Sequence, residues 1–293
     1  MHLSVNTQRP YPSVFRAYFV ETHLWSTGMN IRIVLYPELS LSALAVAPRL
    51  RTAHIPKGVL WIWLHLLQFN LSNQTMDLEE DKWNKAWRPL PAGRITLKSA
   101  RLLRWIIVPL CLIFSLCYGI ESFYSSTITV MLTIVHNELG GHGGHWFWRN
   151  AVNAIGLAAF QAGGAIVMSE ERKNLDSTAA MALCISAAVL TTTIHAQDFR
   201  DVAGDVKIGR STLPIIAPVL ARYTVVIGLI AWSAALEYIW EIGLPAIAFG
   251  MLGLYTGYRY IFFREVVDDQ VSYYWYNCWL SIAHLLPYCY RYL

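Results

Sequence analysis

Two short stretches of this chain each carry three oxygen-bearing side chains at helical spacing. In NQTMDLEED (residues 73–81), Asn73, Asp77 and Asp81 recur every four residues. In QDFRDVAGDVKIGRSTLP (residues 197–214), Asp198, Asp201 and Asp205 stand at i, i+3 and i+7. Side chains at these intervals share one face of a helix. Amide and carboxylate oxygens so arranged suit Mg²⁺, a hard cation that keeps coordination positions open for water and a substrate phosphate. Carboxylates crowded at a low-dielectric rim repel one another unless cations lie between them. Basic residues sit close by: Lys82, Lys85, Arg88 and Arg94 near the first stretch, Lys207 and Arg210 near the second. Lys and Arg are the partners of phosphate oxygens. Two plainer readings stand beside this one. An acidic stretch alone also marks the solvated end of a membrane helix, and Lys82, Arg94 and Lys98 equally fit a topology signal.

The elements that would position these residues are apolar. Of the 293 residues, 55% are hydrophobic and 14% charged, against roughly 25% charged in a soluble domain. Apolar stretches near the length of a bilayer span recur at about nine places: 31–47, 58–71, 102–120, 125–135, 150–167, 178–196, 221–239, 244–263 and 274–290. The fourth is short and Pro37 interrupts the first. Backbone polar groups must be satisfied within lipid, so each span is expected to be helical. The fold class is therefore all-α, a polytopic membrane protein and a single domain over residues 1–293. The N-terminal residues lack the apolar core of a cleaved signal peptide, so the mature chain is expected to start near Met1.

Parity brings the two acidic stretches together. Four spans separate Asp81 from Asp201, and an even number returns the chain to the same side of the membrane. That side also carries Lys82, Lys85, Arg88, Arg94, Lys98, Arg149, Arg200, Lys207, Arg210 and Arg264. The opposite loops carry mainly Arg49, Arg51, Lys57, Arg172 and Lys173. The excess of basic residues places the acidic clusters on the cytosolic face.

Other features read more plainly. The net charge of +4 comes without a dense basic block, which excludes a nucleic-acid partner, and no obligate protein partner is expected. Cys111, Cys117, Cys184, Cys278 and Cys289 form no CxxC and read as buried small hydrophobes. Trp61, Trp105, Trp146, Trp148, Tyr273 and Trp275 flank span ends as an interfacial belt would. His136, His142 and His145 in HNELGGHGGH could suggest zinc, but glycine-rich spacing positions ligands poorly. A loop over the mouth of the site, with Glu138 and Arg149 at its entrance, is the better reading.

The pattern Asn73-x3-Asp77-x3-Asp81-x2-Asn84-Lys85-x2-Arg88-Pro89-Leu90-Pro91-x-Gly93 resembles the first motif of the UbiA superfamily of intramembrane prenyltransferases. Asp198-x2-Asp201-x2-Gly204-Asp205, with GRSTLP after it, resembles the second. One departure is Gln74, where many members have Asp. The resemblance implies helices around a central cavity, capped by the loops that bear the motifs. It implies an isoprenyl diphosphate substrate held through Mg²⁺ and ionised to an allylic cation. Asp77, Asp81, Asp201 and Asp205 would be catalytic and, with Asn73 and Asp198, would ligate the metal. Asn73, Lys85, Arg88, Asp198, Lys207 and Arg210 would bind substrate.

NKxWRPLPAGR and HNELGGHGGHWFWRN resemble a fungal branch that includes membrane-bound terpene cyclases, which implies ring closure of farnesyl or geranylgeranyl diphosphate in a bilayer, the endoplasmic reticulum. Transfer to an aromatic or glyceryl acceptor uses the same motifs and stays open here. A cation transporter would place its charges near the midplane rather than at span ends. Trp61, Trp63, Tyr118, Phe160 and Tyr255 are candidates to line the cation chamber, though packing or an interfacial belt explains each of them as well.

Overall fold

The computed structural model describes residues 32–76, 78–84, 86–141 and 144–293, and the side chains among them except those of 32–36, 80, 83 and 84. The expectation about the N-terminus, and those for Asp77, Lys85 and His142, lie outside the described residues. Within them the chain is helical, and pairing between extended segments is confined to the isolated bridge between Leu50 and Ser169.

Helix α1 spans Arg32–Val46, α2 Ile55–Met76, α3 Leu78–Asn84, α4 Leu97–Leu116, α5 Ile120–Asn137 and α6 Trp146–Met168. Then follow α7 Ser177–Thr193, α8 Val202–Lys207, α9 Leu213–Ile216, α10 Pro218–Trp240, α11 Pro245–Phe262 and α12 Val266–Tyr292. A 3₁₀ turn, Ile194–Arg200, extends α7 toward α8. Each of the nine expected apolar stretches overlaps one long helix. Among the described residues four helical segments are, by length and composition, long and apolar enough to cross a membrane: Leu97–Leu116, Trp146–Met168, Ser177–Arg200 and Pro218–Trp240.

Local chemistry fixes the helix ends. Thr96 accepts the Ser99 N–H at 3.1 Å to open α4, and Asp176 accepts the Ala179 N–H at 2.8 Å to open α7. Pro218 and Pro245 start α10 and α11, where the missing N–H costs nothing. Gly119, at φ 124, precedes α5 in a conformation L residues rarely adopt. Helix α5 runs well past the short stretch 125–135. Its buried face is polar but for Val130, with Ser122, Ser125, Ser126, Thr129, Thr133, His136 and Asn137, so a hydropathy reading undercounts it. Thr129 and Thr133 donate to carbonyls one turn back, each at 2.9 Å, which satisfies them inside the bundle.

Burial is inverted relative to a soluble protein. His65, Gln68, Ser72, Asp81, Arg104, Asn150 and Gln161 are buried, whereas Leu102, Trp105, Ile113, Val219, Ile227 and Met251 are exposed. An apolar exterior of this extent requires an apolar solvent, and the bilayer supplies one.

The belt reading needs correction at two positions. Trp61 is fully buried, donating to Ser115 Oγ at 2.8 Å and stacking on His65, and Tyr273 is buried beside Tyr276. Trp105 and Trp148 are exposed, as a belt requires. Of the five cysteines only Cys111 is buried; Cys117 and Cys184 lie on the apolar exterior.

Candidate active site

The first acidic stretch is formed by the end of α2 and the short α3. Asn73 lies in the last turns of α2, and Asp81 sits on α3 with 0% exposure. Arg88 returns from the following turn and reaches all three acceptors with Nη1. Its contacts are 2.6 and 2.5 Å to the Asp81 oxygens and 3.0 Å to Asn73 Oδ1.

The turn at residues 88–94 is built for that return. Arg94 N–H donates to Pro89 O at 2.8 Å, and Gly93 takes φ 69, which favours glycine. Gln74, the departure from the common pattern, is fully buried. Its Oε1 faces the Leu90 N–H at 3.5 Å, so it braces the turn. Behind Asn73, Asn137 Oδ1 accepts from Asn73 at 3.4 Å, and Asn137 donates to Ser72 at 2.9 Å.

The second stretch is not one regular helix. Asp198 lies in the 3₁₀ turn, Asp201 at the junction and Asp205 in α8. Residues three apart eclipse in a 3₁₀ turn, so Asp198 and Asp201 still share a side. Each carboxylate meets an arginine. Arg149, from the first turn of α6, hydrogen-bonds Asp198 with both side chains buried. Arg200 lies 3.6 Å from Asp201, and Arg210 donates to Asp205 at 3.3 Å. Gly209, at φ 71, turns the chain so that the Arg210 N–H also reaches Asp205 O at 2.9 Å. Lys207 is exposed on the same segment.

Helix α3 packs against α8, and the 3₁₀ turn packs against α6, so the two stretches meet at one end of the bundle. Asn73, Asp81, Arg88, Asp198, Asp201, Asp205 and Arg210 gather there.

The entrance pair divides. Arg149 reaches Asp198, whereas Glu138 pairs with Arg104 of α4. Sequence spacing did not single out Arg200 or Asn137. For Arg149 a signal existed, since a charged residue opening an apolar helix is costly unless it is used. Of the histidines in HNELGGHGGH, His136 bonds Asn137 Oδ1 at 2.8 Å and His145 caps α6. Trp63 and Phe160 are buried. Tyr118 lies at the far end under the Arg172 guanidinium, and Tyr255 faces outward, so neither lines the site end.

Among the described residues no three acidic, His or Cys groups close round a cation on their own. The donor set is amide and carboxylate oxygen, spread over two elements and interleaved with arginine. That suits Mg²⁺, which is bound by one or two carboxylates while substrate phosphate and water complete the octahedron. The buried guanidiniums hold carboxylate charge in a low dielectric and offer forks that match phosphate oxygens.

Comparison with known proteins extends this geometry. The sequence pattern of the UbiA prenyltransferase family matches residues 34–280. The fumagillin beta-trans-bergamotene synthase of Aspergillus fumigatus is 32% identical over 277 residues, covering 92% of both chains. The somaliensene A/B synthase of Streptomyces somaliensis is 28% identical over 298 residues, covering 96% of both. A solved UbiA homolog from Archaeoglobus fulgidus, bound to GPP and Mg²⁺, superposes with a TM-score of 0.61 at 13% identity. It covers 87% of this chain and 95% of its own, which shows the shared fold.

Proposed function

This chain belongs to the UbiA prenyltransferase family, and from that premise we propose that it is an Mg²⁺-dependent terpene cyclase. Its substrate is a linear isoprenyl diphosphate, farnesyl or geranylgeranyl, and its products are a cyclic sesqui- or diterpene and pyrophosphate. The observation that carries the reading is the meeting of two carboxylate stretches at one end of an apolar bundle, each interleaved with buried arginine. End-to-end likeness to two terpene synthases favours ring closure over transfer to an acceptor. In this reading all nine long helices cross the bilayer around a central cavity. The site faces the cytosol, and the membrane is that of the endoplasmic reticulum.

Asn73, Asp81, Asp198, Asp201 and Asp205 would hold the metal, together with Asp77 on the strength of its spacing. Bound Mg²⁺ supplies Lewis-acid activation of the diphosphate leaving group. Arg88, Arg149 and Arg210, with Lys85 and Lys207, stabilise the charge that accumulates as the C1–O bond breaks and its electron pair leaves with the diphosphate. A double bond of the same chain then donates its electrons to C1. Loss of a proton from the ring cation completes the olefin. The apolar walls exclude water while the cation exists.

The deciding experiment gives the purified protein Mg²⁺ and each diphosphate without an acceptor. Release of a cyclic olefin and pyrophosphate is the expected result. An acyclic alcohol alone would show that water quenched the cation. Turnover only with a phenolic or glyceryl phosphate acceptor would make the chain a transferase.

A further inference from the structure

Far from the acidic end, α1, α6, α7, α10 and α12 enclose a second polar centre. Ser186 of α7 lies twelve residues before Asp198, about 20 Å along α7 and the 3₁₀ turn that extends it. Its Oγ is 2.8 Å from Nε2 of His284 on α12, whose Nδ1 hydrogen-bonds the Glu38 carboxylate of α1. All three side chains are buried. Beside them is a cavity of about 10 Å³, lined by Ser42, Gln161, Ser186 and His284 and closed by Leu236 and Trp240 among others. That volume is near the lower limit for one water molecule.

Two of the polar residues lining this cavity lack side-chain hydrogen-bond partners among the described residues. Gln161, with 0% exposure, has no hydrogen bond at either Oε1 or Nε2, and buried Ser42 has none at Oγ. A buried amide left unsatisfied is costly, and internal water is the usual remedy where two to four polar groups converge. The rest of the wall is apolar, from Val46, Ala182, Ile185, Val189, Leu236 and Trp240 among others, so the four polar residues on it are the groups a water would bridge.

We propose that this cavity is a binding site for a single ordered water molecule, which joins Gln161 and Ser42 to the Glu38–His284–Ser186 chain. The water turns separate contacts into one polar clasp across α1, α6, α7 and α12. Because α1 and α12 are the first and last described helices and pack side by side, the clasp closes the ring of helices. The site is independent of the diphosphate chemistry proposed at the other end.

The test is an experimental structure of the full chain in lipid nanodiscs, at a resolution that shows ordered water, with melting curves of two variants. The expected structure has a water peak within hydrogen-bonding distance of Gln161 and of Ser42, Ser186 or His284. An empty cavity overturns the proposal. The variants read the same question by sign. If water is bound, Gln161→Leu strips its partner and Ser42→Thr displaces it with a methyl group, and each lowers Tm by about 2–4 °C. If the cavity is dry, Gln161→Leu removes two unsatisfied atoms and Ser42→Thr fills space, so both raise Tm. A rise in either variant overturns the proposal.

Discussion

Asp81 and Asp198 are the most deeply committed carboxylates of the candidate site, since each is buried against an arginine from another segment. Removing one charge of such a pair leaves the other uncompensated, so stability and turnover should separate by substitution. Asp81→Asn or Asp198→Asn should lower turnover of a radiolabelled diphosphate at least ~10²-fold, about 2.7 kcal/mol of barrier. Retained activity in these variants or in EDTA would remove the metal assignment. Arg88→Lys should also be costly, because one ammonium cannot reproduce a guanidinium that spans Asn73 and both Asp81 oxygens. Lys98→Ala should be mild, and equal effects would reduce Arg88 to a topology signal. Arg149→Gln should behave like Arg88→Lys, which tests an arginine that lies outside the two acidic stretches.

At the scale of elements, close approach of α2, α1 and α6 depends on glycine. A Cβ on Gly163 would stand 2.0 Å from the Trp61 ring, and one on Gly164 would stand 2.7 Å from Ile62 Cδ1. Gly163→Ala should therefore cost about 1–3 kcal/mol by overpacking, read from thermal unfolding in detergent. Trp61→Phe in the same chain should restore part of the loss; no rescue would place the strain elsewhere.

The far end of the bundle is tied differently, by Arg291 of α12 on the N-cap Asp176 of α7. The guanidinium's hydrogen bonds hold the Asp176 carboxyl below its ordinary range. A depressed pKa contributes stability that is present above the unfolded-state value and lost as pH falls through the folded one. Asp176→Asn should accordingly lower Tm slightly at neutral pH, with the gap to wild type closing on acidification. A gap that persists in acid would assign the effect to the helix cap alone.

For the whole molecule, alternating helix direction puts Lys98 and Lys173 at opposite ends. Lys98 opens α4 near the acidic stretches, while Lys173 follows Glu171, which pairs with Arg49 at the other end. In sealed vesicles with the acidic end outward, an impermeant maleimide should label Lys98→Cys before lysis and Lys173→Cys only after it, in a background with the exposed native cysteines replaced. Labelling of both before lysis would break the even-span parity on which convergence of the two stretches rests.

Much of this architecture is a one-dimensional property. Long apolar stretches must become helices in lipid, because their backbone groups have no other partners there. Oxygen-bearing side chains at helical spacing, an even count of intervening spans and basic residues beside them follow from the order of residues alone. Those features placed Asn73, Asp81, Asp198, Asp201 and Asp205 at one end before any coordinates. Partnership is a different kind of property. That Arg149 rather than Lys207 meets Asp198, that Gln74 braces a turn, and that Trp61 seats on Gly163 depend on helices brought together from distant parts of the chain. The Glu38–His284–Ser186 chain spans 246 positions between its first two members, and only packing brings α1 against α12. Sequence spacing sets which side of a helix a residue occupies, whereas tertiary packing decides what lies opposite it, and with that which charges and polar groups are satisfied.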